Sequence, residues 1–330
     1  MKLLTVCIPC FNAIDHMHKA LGSCLLVKDD LEVIIIDKNS TDETYEVALE
    51  YQKEYPDTFK VVKNDENLDD IKCAYRHATG LYFKLLDSYD WFDQASLVRV
   101  IETLKDIIRV QANLDVLVTD YFCCYGKKPR KISYHSLLPA DKIFGWHEIK
   151  HFKIQQYLLT PALIIKTKII KEVIANFPPE TSFYMEMLAY APLPYVRSFC
   201  YIDMPLYCFG RDPFENVVNN EIFVPCLLDV ARQFIDYYDI YSLRSRKQRH
   251  YMVKYLSMII LITCALLSHD GSLQSIQDKD DLWSYLKYTK PRLYKELKKT
   301  AYGRLFAIEG RLPKKVIDQA YNAILKLYGI

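Results

Sequence analysis

Up to about residue 220 the apolar positions alternate between two patterns. Short continuous runs, many of them β-branched, occur in LLTVCIPCFN, LEVIIIDKNS, FKVVKN, LYFKLLD and LDVLVTDYFCCY. Between them, DHMHKALGSCLL, STDETYEVALEYQKEY, IKCAYRHAT and LVRVIETLKDIIRV repeat apolar residues at helical spacing. Runs of the first kind read as buried strands and those of the second as amphipathic helices. The alternation predicts an α/β architecture, a mainly parallel sheet with helices on both faces. Ser40 or Thr41 is the expected cap of the helix that carries TYEVALEYQKEY, because acidic residues fill the turn that follows. TPALIIKTKIIKEVIANF reads as strand, Thr167 cap and helix.

From about residue 221 the pattern is helical throughout, in VPCLLDVARQFIDYYDIY, HYMVKYLSMIILITCALL, DDLWSYLKY, RLYKELKKTAYGRLF and PKKVIDQAYNAILKLY. Two domains are therefore expected, 1–220 of α/β type and 221–330 all-helical. The apolar stretch Met252 to Leu267 contains Lys254 and falls short of the ~20 residues a membrane-spanning helix needs, so a buried core helix is expected and no transmembrane segment.

Composition narrows the picture. The chain has 330 residues, 51% apolar and 25% charged, with a net charge of +2. So balanced a charge creates no field that argues for nucleic acid. Ten cysteines without a regular framework, and no secretory signal, point to free thiols in a reducing cytosol. Cys7 and Cys10 fit C-x-x-C but fall in a strand pattern, which is the wrong context for a redox or zinc pair.

In open α/β sheets, ligands bind beyond the carboxyl ends of the strands. Asp37 and Asp87 both end strand runs, so the sheet is expected to bring them to one crevice. Asp37 is also placed to form a turn with Asn39 and Ser40. Asp87 opens the stretch DSYD, a carboxylate cluster with Tyr89 at its third position.

In order and spacing, LLTVCIPCFN, LEVIIIDKNSTDET, KNDEN, ATGLYFKLLDSYDWFD, ALIIKTKIIKE and SFYMEM with the following LPYV and YIDMPLY resemble the family 2 glycosyltransferases of GT-A fold, in the bacterial branch that builds capsular and surface glycans. The resemblance covers about residues 3–220. It implies transfer, with inversion, from a nucleotide-diphosphate sugar (a UDP-sugar) to a glycan, glycoprotein or lipid-linked acceptor. It places Pro9, Phe11, Asn12, Asp37, Asn39, Asn67, Asp87 and Arg211 around the donor, with Phe11 lining the base pocket and Asp37 accepting from the base. Arg211 is a candidate phosphate clamp, since a guanidinium binds phosphate bidentately. Glu186, in FYME, matches the aspartate that takes the acceptor hydroxyl's proton.

Three departures from the family pattern coincide. The usual Asp-x-Asp binds a divalent cation that offsets the charge of the departing nucleoside diphosphate. On an extended segment, residues i and i+2 share a face, so Tyr89 stands where the second chelating carboxylate is expected, and a phenol is a poor ligand for a hard cation. Asp87 is the one metal-ligand candidate, Asp90 reads as structural, and metal dependence is expected to be weak or absent. A glycine-rich loop is shortened and carries Asp69 and Asp70. Glu186 shifts the base oxygen by about a methylene, on a scale where a 1 Å misplacement costs ~100-fold. The alternative from another class is a catalytically impaired pseudo-glycosyltransferase serving as a binding or assembly subunit. A cytoplasmic location is expected, with homo-oligomer formation. The basic clusters at Lys127 to Lys131 and Arg244 to His250 read either as solvated faces or, for the second, as a peripheral contact with the inner face of an anionic membrane.

Overall fold

The computed structural model of the chain describes residues 2–64, 69–124, 128–150, 152, 157–176, 185–210, 223–237 and 239–328. They divide into two compact units, Met1–His151 with Leu158–Asp212, and Phe152–Tyr157 with Pro213–Ile330.

In the first unit the elements run β1 (Leu4–Cys10), α1 (Ile14–Gly22), β2 (Leu31–Asp37), α2 (Thr44–Glu54), β3 (Phe59–Lys63), α3 (Asp70–His77), β4 (Tyr82–Leu85), β5 (Trp91–Phe92), α4 (Gln94–Arg109) and β6 (Val116–Cys123). They continue as β7 (Arg130–Ile132), β8 (Ile143–Phe144), β9 (Leu163–Lys166), α5 (Thr167–Asn176), α6 (Met185–Tyr190) and β10 (Phe199–Phe209). Ten strands form one sheet in the order β3-β2-β1-β4-β9-β6-β10-β5, with β7 added on β6 and β8 on β10.

The apolar runs become the centre of this sheet. All of β2 except Glu32 is buried, as expected where helices cover both faces. β3, β2, β1 and β4 pair in parallel, as do β6 and β10. The sheet is nevertheless mixed, because β9 runs antiparallel between β4 and β6. Its four residues, LIIK, carry the burial signal of a strand but nothing that encodes direction.

A polar pin holds the other pole of the parallel strands. Glu32 accepts from Thr5 Oγ1 at 2.6 Å and from Thr79 N at 2.8 Å, and Thr5 Oγ1 accepts from Gly80 N at 3.0 Å. A Cβ on Gly80 would come within 2.6 Å of Thr5 N, so only glycine allows this approach.

Two expected helix caps are corrected. α2 begins at Thr44, not beside Ser40 or Thr41. Those two side chains are spent on the β1 loop: Ser40 Oγ accepts from Asn12 N at 3.1 Å and Thr41 Oγ1 meets Asn12 Oδ1 at 3.3 Å. Asp42 takes the Thr44 N–H instead, at 3.0 Å. Thr167 Oγ1 donates to Gly80 O at 2.6 Å rather than capping α5.

The second unit is helical among its described residues: α7 (Phe223–Tyr237), α8 (Arg246–Asp270), α9 (Leu273–Thr289), α10 (Pro291–Leu297), α11 (Ala301–Phe306) and α12 (Lys314–Tyr328). α8 starts at Ser245, whose hydroxyl accepts from Gln248 N, and ends at Gly271 in the left-handed region, φ 66°. Its 25 residues extend past the apolar stretch at both ends. By length and composition α8 could cross a membrane, and 89% of its apolar window is buried inside the protein. Tyr251 and Tyr255 of α8 pack on Phe152 and Tyr157, with ring centroids 4.7 Å and 5.2 Å apart for the Phe152–Tyr251 and Tyr157–Tyr255 pairs.

All ten cysteines are free thiols, and only Cys124 and Cys226 are partly exposed.

Candidate functional site

The parallel register sets the site. Cys10 at the end of β1 lies beside Asp37 at the end of β2, and Cys7 lies beside Leu85 at the end of β4. Leu86 N still donates to Cys7 O, at 2.9 Å. The segments 11–13, 38–43 and 86–90 therefore leave the sheet at the same edge, with the β1 segment between the other two.

The first two are laced together. Asn12 sits at φ 49° and Asn39 at φ 57°, a left-handed conformation that asparagine tolerates better than most residues. Thr41 N donates to Asn12 Oδ1 at 2.8 Å, beside the Asn12–Ser40 bond. Phe11 is left 53% exposed, and Asn12, Asn39 and Thr41 are also exposed. Pro9, in β1, is half-buried.

Asp37 forms the turn with Ser40 that the sequence also offered. It is fully buried. One carboxylate oxygen accepts from Ser40 N at 3.2 Å, and the other lies 4.0 Å from Cys10 Sγ. In this geometry Asp37 organises the turn that carries Asn39 and Ser40. The exposed groups at this edge include Phe11, Asn12, Lys38, Asn39 and Thr41.

Opposite, residues 87–90 form a tight turn, not an extended segment. Asp90 N donates to Asp87 O at 3.0 Å, and Tyr89 N donates to Asp87 Oδ1 at 3.0 Å. This is the local bonding by which aspartate closes turns. The i, i+2 alternation expected from sequence therefore does not apply, and Asp87 and Tyr89 diverge. Tyr89 reaches across to the segment after β1, where its hydroxyl donates to Asn12 O at 3.3 Å and its ring packs on His16 of α1 with centroids 4.8 Å apart. Asp87 is half-buried.

Asp90 is committed internally. Its Oδ2 accepts from Tyr207 Oη at 2.5 Å and its Oδ1 from Gly210 N at 2.8 Å. Tyr207 Oη also accepts from Asp87 N at 3.1 Å. Burial, and then the Asp90 and Asp87 carboxylates beside it, hold the Tyr207 phenol well above its usual range, so it stays a donor. Beneath them lies Lys84, 1% exposed. Its Nζ donates to the carbonyls of Thr160, Pro161 and Leu163 at 3.2, 2.5 and 3.2 Å. Burial pushes its pKa well below the usual lysine value. Lys84 thus anchors the turn that feeds β9 into the sheet.

Sequence reasoning missed Tyr207. The only signal for it was an aromatic in a strand run preceding a glycine, Gly210, that a tight approach requires. A Cβ there would collide with the backbone oxygen of Tyr89 and come 2.9 Å from the Trp91 ring.

The charges of the shortened loop are taken up. Asp69 caps α3 by accepting from Lys72 N at 3.0 Å. Asp70 pairs with Lys38 at 2.6 Å and accepts from Asn64 Nδ2 at 3.3 Å. Lys131, from the first basic cluster, pairs with Asp120 at 2.9 Å and Asp203 at 3.1 Å. Asn67, Lys127 and Arg211 lie outside the described residues. Glu186 falls in the first turn of α6, and its side chain lies outside them too.

The donor set fits a divalent cation poorly. Tyr89 is bonded to a carbonyl and both oxygens of Asp90 are used, which leaves Asp87. Among the described residues no group of three or more His, Cys, Asp or Glu is placed to hold a metal ion. A cation here would rest on Asp87, water and the phosphates of a ligand, an arrangement Mg²⁺ accepts more readily than an all-protein cage.

Residues 5–160 match the model of the family described as Glycosyl transferase family 2. Over 150 residues the chain is 27% identical to a processive diacylglycerol beta-glycosyltransferase of Mycoplasma genitalium, covering 43% of this chain and 42% of that protein. Over 190 residues it is 25% identical to a poly(ribitol-phosphate) beta-glucosyltransferase of Bacillus spizizenii, covering 49% of this chain and 30% of that one. The match thus spans less than half the length of these curated relatives. The crystal structure of S. aureus TarS 1-349 in complex with UDP-GlcNAc superposes with a TM-score of 0.69 at 17% identity, covering 100% of this chain and 92% of that one. At that identity the likeness establishes a shared fold.

Proposed function

We propose that this chain, whose residues 5–160 match the family 2 glycosyltransferase model, transfers a sugar from a UDP-linked donor to a glycan, glycoprotein or lipid-linked acceptor of a bacterial surface. The observation that carries the reading is the rim at the carboxyl ends of β1, β2 and β4. An exposed aromatic, Phe11, and the exposed amides of Asn12 and Asn39 stand on one side, and Asp87 stands across from them. A nucleoside diphosphate offers complementary features in a base face, ribose hydroxyls and phosphates. The curated relatives act on diacylglycerol and poly(ribitol-phosphate) by name, and the TarS structure holds UDP-GlcNAc. These support a UDP-sugar donor and a lipid-linked or polymeric acceptor.

In this reading the acceptor hydroxyl attacks the anomeric carbon with inversion and the bond to the diphosphate breaks. Glu186, at the start of α6, takes the hydroxyl proton. Arg211 and backbone groups offset the charge of the departing diphosphate. A divalent cation, where bound, adds to that neutralisation through Asp87. Cytoplasmic action at the inner face of the membrane, as a homo-oligomer, belongs to the same proposal.

The test is calorimetric binding of UDP-glucose, UDP-galactose, UDP-N-acetylglucosamine and GDP-mannose to purified protein, followed by hydrolysis and transfer assays. Binding and turnover of at least one UDP-sugar is expected. If none binds and none is turned over, the donor reading fails and a binding or assembly role takes its place.

A further inference from the structure

The helical unit contains a cavity of about 220 Å³ where the C-terminal turn of α8 meets the start of α12. Its apolar wall is Ile276, Leu312 and Ile317, and its polar edge includes Asp270, Asp318, Arg311 and Lys314. The fold holds this edge in place. Lys279, 1% exposed, donates to Ile308 O at 2.7 Å and Gly310 O at 3.3 Å, and pairs with Asp280 at 2.9 Å. That fixes the turn before Arg311. The guanidinium reaches back toward α8, with Nη2 3.9 Å from where a Cβ on Gly271 would stand. Ser268, which also lines the cavity, is 6% exposed, and its hydroxyl has no hydrogen-bond partner.

The charges at the cavity select the ligand class. Lys279 is matched by Asp280, and His269, which also lines the cavity, lies 3.9 Å from Asp318; that leaves two cations, Arg311 and Lys314, with two carboxylates, Asp318 and Asp270, the latter also accepting from Ser272 N at 3.2 Å. An anion meets both carboxylates and the carbonyl end of α8, where the helix dipole is negative. A cation meets the guanidinium and the ammonium. A neutral polyol uses all four groups, since carboxylates only accept and guanidinium and ammonium only donate. The apolar wall suits a face of C–H groups, the usual composition of a small-molecule site. The volume holds roughly seven waters at ~30 Å³ each, close to the bulk of one pyranose ring with its hydroxyls.

We propose that this cavity binds a single neutral pyranose residue of a glycan. The proposal does not rest on the donor reading of the first unit, and its test uses no nucleotide. Saturation-transfer NMR on the full chain, with the methyl β-glycosides of glucose, galactose and N-acetylglucosamine as probes, is expected to show transfer to at least one. Asp318→Asn and Arg311→Gln are each expected to weaken that binding about tenfold without moving the thermal midpoint. Leu312→Trp, which fills the cavity without changing charge, is expected to abolish it and serves if a polar variant fails to fold. No transfer to any probe overturns the proposal. So does transfer unchanged by all three substitutions, which places the sugar elsewhere. So does inorganic phosphate competing with the sugar, which makes this an anion site.

Discussion

The hydroxyl of Tyr207 donates to Asp90 at 2.5 Å and accepts from the backbone N–H of Asp87 at 3.1 Å. One phenol in β10 thus supports both ends of the 87–90 turn. Tyr207→Phe removes a charge-assisted bond inside the protein and leaves Asp90 Oδ2 short of a donor. The expected loss is about 1–3 kcal/mol of stability, read by urea unfolding. Donor affinity is expected to weaken by roughly tenfold, read by calorimetry with UDP. An unchanged affinity would mean that the Asp87 turn holds without Tyr207, or that it lies apart from the donor.

Manganese titration addresses the role of Tyr89. In the native chain, donor affinity is expected to change little between chelated buffer and millimolar manganese. Tyr89→Asp removes the bond to Asn12 O, adds another carboxylate to the 87–90 turn, and is expected to gain metal-dependent donor binding. Strong manganese dependence in the native protein would show that Asp87 suffices as a protein ligand.

Lys84 gives a pH signature. Its folded pKa is depressed, so in the window between that value and the ordinary lysine pKa of ~10.4 the unfolded chain binds more protons than the folded one. Stability from this residue therefore rises with pH across that window and is lost as pH falls through the folded pKa. Lys84→Met removes the titration and leaves three carbonyls without their donor. The variant is expected to be about 1–3 kcal/mol less stable at alkaline pH, with the gap to the native chain narrowing as pH falls. A gap that stays constant with pH would mean the Lys84 pKa is not depressed.

Two glycines make a matched pair. Gly210→Ala forces a methyl against the Tyr89 carbonyl and is expected to cost about 1–3 kcal/mol and to disturb the 87–90 turn. A Cβ on Gly22 meets nothing within 4 Å at the end of α1, so Gly22→Ala is expected to stabilise by about 0.4–1 kcal/mol. Thermal denaturation of the two variants reads both signs. Equal effects would argue against the crowding at Gly210.

Strand runs with β-branched residues were legible because burial on both faces leaves a continuous signal, as in LEVIIID. That signal, with the parallel register it implies, was enough to bring the ends of β1, β2 and β4 to one edge. The direction of β9 was not legible, since four apolar residues look the same read either way. Nor was the 87–90 turn. Asp87 accepting from Tyr89 N is a local bond that competes with extension, and no periodicity reports it. The turn after Asp37 is tied to the β1 loop through Ser40 and Thr41 across 28 and 29 residues of chain, a long-range contact without a sequence signature. Lys84 read only as a cation in a strand, because the carbonyls that receive it come from a turn 76 to 79 residues away.

The buried thiols give this chain a chemical clock. Burial raises the pKa of Cys24, Cys208 and Cys264 to about 12 and that of Cys200 to about 11. At neutral pH the reactive thiolate is thus suppressed as well as shielded. The sheet (Cys208, Cys200) and the long helix of the second unit (Cys264) each carry such a group. Counting alkylated cysteines by mass spectrometry over time would report how often each unit opens, without an engineered label.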